Sequence, residues 1–167
     1  GVFRSLLVDA RTALDLVDAP EVAAVTLTGS TTAGRAVAAR AGAALKRTVM
    51  ELGGSDPVVV LEDADLDLAA EASAHSRLLN AGQSCIAAKR FLVEEPIAER
   101  FEIALADQMK SLKVGDPLDR ANDLGPLARE DLVDSLHDQV QRTIAAGAKL
   151  LAGGEPEGLG HVADRGL

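Results

Sequence analysis

Hydrophobic and polar positions follow two rhythms along this chain. Val22-Ala23-Ala24-Val25-Thr26-Leu27-Thr28 is a near-continuous apolar run of strand length. That is the pattern of a strand covered on both faces. Residues 46–52 and 57–61 repeat it, separated by Gly53-Gly54. Between the first two runs lies an Ala-rich stretch from Gly29-Ser30 to about Leu45, which reads as a helix. Strand, helix, strand at this spacing predicts parallel pairing through crossover helices. Residues 2–8 read as a further short strand, and Asp9 then caps a helix over 10–17 that ends at Asp18-Ala19-Pro20.

The second half continues in the same manner. The acids of Asp63-Ala64-Asp65-Leu66-Asp67 suit the N-terminus of a helix over 65–79, where the helix dipole favours negative charge. Residues 90–93 read as a strand, and Pro96 as the first residue of the next helix. That helix carries Ile97, Phe101, Ala104, Leu105, Met109 and Leu112 on one stripe. Val114-Gly115-Asp116-Pro117 turns the chain into another amphipathic helix, with Leu132, Val133, Leu136, Val140 and Ile144 on its apolar side and Gly147 as its C′ residue. Lys149-Leu150-Leu151 reads as a strand closed by Gly153-Gly154, and residues 155–167, lacking any apolar period, as an irregular tail. The fold class is α/β.

Composition narrows the picture. Of 167 residues 47% are hydrophobic but only 2% aromatic, so a core must come from Ala, Val and Leu, which suits close helix-on-sheet packing. The net charge of −9 argues against nucleic acid and against anionic membrane surfaces as partners. It leaves room for an anionic cofactor, because a helix N-terminus binds phosphate locally whatever the global charge. A single cysteine rules out an internal disulfide and fits a reducing compartment. The longest uncharged run, residues 22–34, is broken by Thr, Ser and Gly, so no membrane span is expected, and the chain reads as soluble and cytoplasmic.

Three polar stations stand out. Gly29-Ser30-Thr31-Thr32-Ala33-Gly34-Arg35 joins a strand to a helix, the setting in which backbone N–H groups bind phosphate. It nearly matches a P-loop, yet Arg35 stands where Lys is needed and Ala36 where a Mg²⁺-binding hydroxyl is needed; Thr31 breaks the dinucleotide fingerprint G-x-G-x-x-G. The plain alternative is a tight turn in which Ser30 or Thr31 caps a helix. Glu51 ends an apolar strand ahead of Leu52-Gly53-Gly54, where shielding from water would suit a general base; the alternative is an ordinary strand-end acid in solvent. Cys85 lies in Asn80-Ala81-Gly82-Gln83-Ser84-Cys85-Ile86, a Gly-containing break between a helix and a strand, and is either a nucleophile or a small inert core residue. A metal site is not expected. The acids at 63–67 fail the calcium loop, with Leu68 where Gly is needed and Ala74 where Glu is needed, and His75, His137 and His161 lack ligand spacing.

Together the three stations resemble the aldehyde dehydrogenase superfamily. Thr28-Gly29-Ser30 leading to Gly34-Arg35, then Glu51-Leu52-Gly53-Gly54 followed by a Pro-containing strand and Asp63-Ala64-Asp65, then Gly82-Gln83-Ser84-Cys85, match its motifs in order and spacing. Val114-Gly115-Asp116-Pro117, Leu124-Gly125-Pro126 and Gly147-Ala148-Lys149 match later pieces. Glu51-Leu52-Gly53-Gly54-Ser55-Asp56-Pro57 and Ala87-Ala88-Lys89-Arg90-Phe91 resemble the succinate-semialdehyde dehydrogenase branch most. The resemblance implies the C-terminal part of a Rossmann-like NAD(P)-binding domain over 1–51 and the N-terminal part of an α/β catalytic domain over 52–154. It further implies Cys85 as nucleophile and Glu51 as the base for the hydrolytic step. Gly29, Ser30, Thr31 and Gly34 would lie at the pyrophosphate of NAD or NADP, and Leu52 and Gly53 near the nicotinamide. The substrate would be a small aldehyde, and the complete protein a homo-oligomer. Family chains are longer: segments that hold the adenosine ribose and the nicotinamide ribose have no counterpart here, and residues 160–167 depart from the family pattern. The chain by itself is therefore expected to be inactive. A competing reading is a non-enzymatic fragment that docks a nucleotide or self-associates through open sheet edges.

Overall fold

In the computed structural model, which describes residues 1–156, the chain forms two compact units that divide after Gly54. In the first unit, Asp9 accepts a hydrogen bond from the Thr12 N–H at 2.7 Å and so starts helix α1 (Ala10–Asp18). The other end of α1 is closed by Lys46, whose Nζ donates to the carbonyls of Val17 and Ala19, both at 2.6 Å. Strand β1 (Ala24–Thr28), helix α2 (Thr31–Ala43) and strand β2 (Arg47–Glu51) follow as a β-α-β unit. The strands are parallel, with Ala24 opposite Arg47 and Thr28 opposite Glu51. Helix α2 packs against α1 and against both strands.

One expectation fails here. Val25 and Leu27 are half-buried, but Ala24, Thr26 and Thr28 are exposed, so β1 is covered on one face by this chain rather than on both. A continuous apolar run reports what a strand could bury and cannot supply the second covering layer.

The second unit starts at Ser55. Strand β3 (Asp56–Val60), helix α3 (Leu66–Leu78), strand β4 (Ala88–Val93), helix α4 (Glu95–Ser111) and helix α5 (Glu130–Ala145) succeed one another. Strands β3 and β4 are parallel, with Val58 opposite Phe91 and Val60 opposite Val93. The register shifts between Asp56 and Pro57, where proline has no N–H to give to a ladder. Asp65 caps α3 by accepting from the Leu68 N–H at 3.2 Å. The core gathers Val60, Ala70, Ile97 and Phe101, with Val58, Phe91, Val93 and Leu105 packed around it. Phe101 is the largest fully buried side chain, its ring centroid 6.1 Å from that of Phe91. Pro96 lies in the first turn of α4, one position later than the sequence suggested.

Two predicted strands are absent. Residues 2–8 form no strand, and Val2, Phe3, Leu6 and Leu7 are exposed. Residues 149–151 form none either, with Leu150 and Leu151 exposed. Both runs carry strand-like composition, but no strand of the described chain pairs with them, and an unpaired run gains no ladder. Helix α5 has its predicted stripe and its Gly147 at φ +100°, yet buries no residue, and Leu132 and Leu136 remain exposed. Of the predicted tail, residues 155–156 are in neither helix nor strand, and 157–167 lie outside the described residues. No described helix is long and apolar enough to cross a membrane.

Candidate active site

The first unit builds its station at the carboxyl ends of two parallel strands, the edge at which open α/β sheets bind ligands. Beyond the Thr28–Glu51 register pair, the Gly29 N–H donates to the Glu51 carbonyl at 3.0 Å, which fixes the turn beside the acid. Ser30 is the N-cap of α2, with extended backbone and its Oγ accepting from the Ala33 N–H at 3.1 Å. Its carbonyl accepts from the Gly34 N–H at 2.9 Å. The N–H groups of Gly29 and Gly34 are therefore occupied. Among the described residues no acceptor takes the N–H groups of Ser30, Thr31 or Thr32, at the positive end of α2. That donor set suits a phosphate and includes no Lys or Mg²⁺-binding hydroxyl at the P-loop positions.

Gly34 has a packing role. It is buried, and a Cβ placed there would lie 2.7 Å from Leu52 Cδ2 and 2.9 Å from Cδ1. The missing side chain lets α2 sit against Leu52. Gly29, Ser30, Thr31 and Gly53 are exposed. Glu51, the last residue of β2, is exposed too, so the shielding expected of it is not supplied by this chain.

The second unit builds the thiol loop. After α3 the chain makes a 3₁₀ turn, Leu79–Gly82, in which Asn80, Ala81 and Gly82 follow one another at φ 52°, 54° and 76°. Polar side chains hold this turn. Arg77 donates from Nη2 to the Gly82 carbonyl at 2.8 Å and from Nη1 to the Ala88 carbonyl at 3.0 Å. Ser76 Oγ accepts from the Ala88 N–H at 3.3 Å. Gln83 donates through Nε2 to the Asn80 carbonyl at 3.0 Å and accepts at Oε1 from the Ala128 N–H at 2.9 Å. Burial pushes the Arg77 guanidinium below its ordinary pKa. Cys85 stands between these ties as an exposed free thiol, not as a core residue. Among the described residues no acceptor takes its backbone N–H.

Sequence reasoning quoted Gln83 within a motif and missed Ser76 and Arg77. A guanidinium reaching a carbonyl five residues ahead and another eleven ahead leaves no periodic signal. His75 is exposed and His137 half-buried, and no group of metal-ligating side chains exists among the described residues.

With this geometry in view, likeness to known proteins is informative. The chain matches the model of the aldehyde dehydrogenase family over residues 1–164. It is similar to the NAD(P)+ succinate semialdehyde dehydrogenase of Escherichia coli (strain K12), with 52% identity over 155 residues that make up 93% of this chain and 34% of that protein. The NADP+ succinate-semialdehyde dehydrogenase of Mycobacterium avium (strain 104) is 51% identical over 156 residues, again 93% of this chain and 33% of that protein. A solved aldehyde dehydrogenase from Pseudomonas syringae, complexed with NAD+ and octanal, superposes with a TM-score of 0.82 at 32% identity, covering 91% of this chain and 30% of that one. The chain thus spans about a third of the length of the curated relatives it matches. Its alternating α/β order is consistent with a Rossmann-like dinucleotide-binding domain followed by the start of a catalytic domain. On the extent of the family match, the chain belongs to the aldehyde dehydrogenase family.

Proposed function

We propose that this chain supplies the phosphate turn, the base and the nucleophile of an NAD(P)-dependent aldehyde dehydrogenase acting on succinate semialdehyde. The observation that carries the reading is the exposed Cys85 in a loop tied down by side chains on both sides, with its backbone N–H unspent. A thiolate there adds to the aldehyde carbonyl, forming a C–S bond. The oxygen that gains negative charge is held in part by the Cys85 N–H. NAD(P)+, when bound, would supply the acceptor for the hydride on the former carbonyl carbon, which Cys85 would then hold as a thioester. Glu51 takes a proton from water as it attacks the thioester; the C–S bond breaks, the thiolate is restored and a carboxylate departs. The N–H groups at the start of α2, with Ser30 and Thr31, would hold the pyrophosphate. The narrower substrate rests on the likeness to succinate semialdehyde dehydrogenases.

The test uses the intact protein and follows reduced nicotinamide. Cys85→Ser is expected to lower kcat by at least about 10³-fold. Glu51→Gln is expected to give one burst of reduced nicotinamide per site and then stall at the thioester. Succinate semialdehyde should exceed butanal in kcat/KM. Wild-type turnover by Cys85→Ser would overturn the nucleophile, and steady turnover by Glu51→Gln would overturn the base. The 167-residue chain alone is expected to show no turnover.

A further inference from the structure

Three consecutive left-handed residues are costly for an L-chain, about 1–2 kcal/mol for an ordinary side chain such as alanine and less for asparagine. Two of the three here, Asn80 and Ala81, are not glycine. Asn80, Gln83, Cys85 and Ile86 are exposed while Ala87 and Ala88 are buried, so apolar burial anchors the loop only where it enters β4. The loop's shape is therefore set by its polar ties, and the Arg77 guanidinium makes the two that bracket the thiol. One arm takes the carbonyl of Gly82, three residues before Cys85, and the other that of Ala88, three residues after it. A guanidinium is a rigid planar fork, so holding both carbonyls fixes the two ends of the loop relative to each other.

Two further features fit this clamp. A Cβ on Gly82 would collide with Arg77 Nη2, so glycine is needed for approach as well as for its positive φ. Ser76, the neighbour of Arg77 on α3, takes the N–H of Ala88, so both backbone polar groups of Ala88 are held by adjacent helix residues. Among the described residues no carboxylate pairs with Arg77, which leaves its donors to the two carbonyls.

We propose that Arg77 is the positioning residue of the thiol loop, setting where the Cys85 sulfur and N–H stand when the carbonyl is attacked. The inference rests on Cys85 being the nucleophile. In the intact protein, Arg77→Met should lower kcat about 10²-fold, the scale expected of a displacement near 1 Å. KM for aldehyde and for cofactor should stay within about threefold, since neither is bound by this side chain. Amide exchange over residues 80–88 should quicken at least about tenfold while β3 and α4 stay unchanged. Arg77→Lys should fall between, because an ammonium is a point donor and lacks the fork.

Should Arg77→Met fail to fold, Gly82→Ala presses on the same fork from the loop side and is expected to give the same split between kcat and KM. A kcat within about twofold of wild type in both Arg77→Met and Gly82→Ala would overturn the proposal, as would exchange that quickens evenly through the whole unit. Turnover by Cys85→Ser would instead remove the nucleophile, and the exchange result would still report on the clamp.

Discussion

The two units hold their chemistry by different means. In the first, the turn at 29–34 and Glu51 are placed mainly by main chain, through the hydrogen bond from Gly29 to Glu51 and a glycine that lets α2 lie against Leu52, with the Ser30 side chain adding a helix cap. In the second, the thiol loop is placed by the side chains of Arg77, Ser76 and Gln83. The cores differ in parallel. The first unit buries Val17 and Ala41, while the second buries Phe101, Ile97, Val60 and Ala70. Added bulk should disturb the first site at Gly34, whereas the second should suffer from the loss of Arg77 as well as from bulk added against it at Gly82.

The largest effect should come from the second core. Phe101 is 1% exposed and touches both strands' inward residues and Leu105 through its cluster, so Phe101→Ala removes a ring from a packed site. Such truncations cost about 3–5 kcal/mol, a large fraction of the stability of an ordinary domain. Val17→Ala in the first unit should cost only about 1.5 kcal/mol, two methyl groups' worth. Urea denaturation followed by circular dichroism compares the two, and equal midpoint shifts would show that the second unit does not depend on its aromatic core.

A smaller effect with a reversible sign tests the first unit. Gly34→Ala gains about 1 kcal/mol of helix propensity. Against that, the new methyl meets Leu52 Cδ2 at 2.7 Å. Overpacking of this kind costs about 1–3 kcal/mol, so the net change should be a loss of about 1 kcal/mol. In a Leu52→Ala background the clash disappears, and the same Gly34→Ala change should stabilise by up to about 1 kcal/mol. If Gly34→Ala has one sign in both backgrounds, the close approach does not govern this position.

These contrasts also explain which features were legible in the sequence. Asp9, Ser30 and Asp65 were readable as caps or helix-start residues because capping is local: acceptor and donor lie three residues apart. The β-α-β order and the stripe on α4 were readable because periodicity is local as well. The strands predicted at 2–8 and 149–151 failed because a strand depends on a partner that its own residues do not specify. Shielding of Glu51 failed for the same reason, since burial is conferred by other segments. Left-handed Ala81 gave no warning, because Ala, unlike Asn80 beside it, carries no signal for positive φ; the conformation is held by Arg77 and Gln83. The motif singles out Gly34 but says only that glycine is there. The contact with Leu52 gives a packing reason for it.

The smallest expected effect separates long-range from local ion pairing. Arg40 on α2 donates from Nε to Asp18 at 2.7 Å and from Nη2 to Asp15 at 2.8 Å, joining α2 to the end of α1 across 22 residues in the first case. Arg129 instead bonds Asp131, only two residues ahead, at 2.7 Å and 2.8 Å. In both units the arginine's hydrogen bond holds the carboxyl, Asp18 or Asp131, below its ordinary value of 3.8. A carboxyl whose pKa is lowered on folding contributes stability that is present above 3.8 and is lost as pH falls through the folded value. The two pairs should nevertheless differ. A contact between residues 22 apart is broken in the unfolded chain, whereas one between residues two apart survives there in part and cancels from the difference. Asp18→Asn should therefore flatten the fall of the urea midpoint below pH 3.8, and Asp131→Asn should leave it nearly unchanged. Both acids are exposed, so the effect is modest and should shrink with added salt. Equal flattening by both substitutions would mean that sequence separation does not decide which pair links pH to folding.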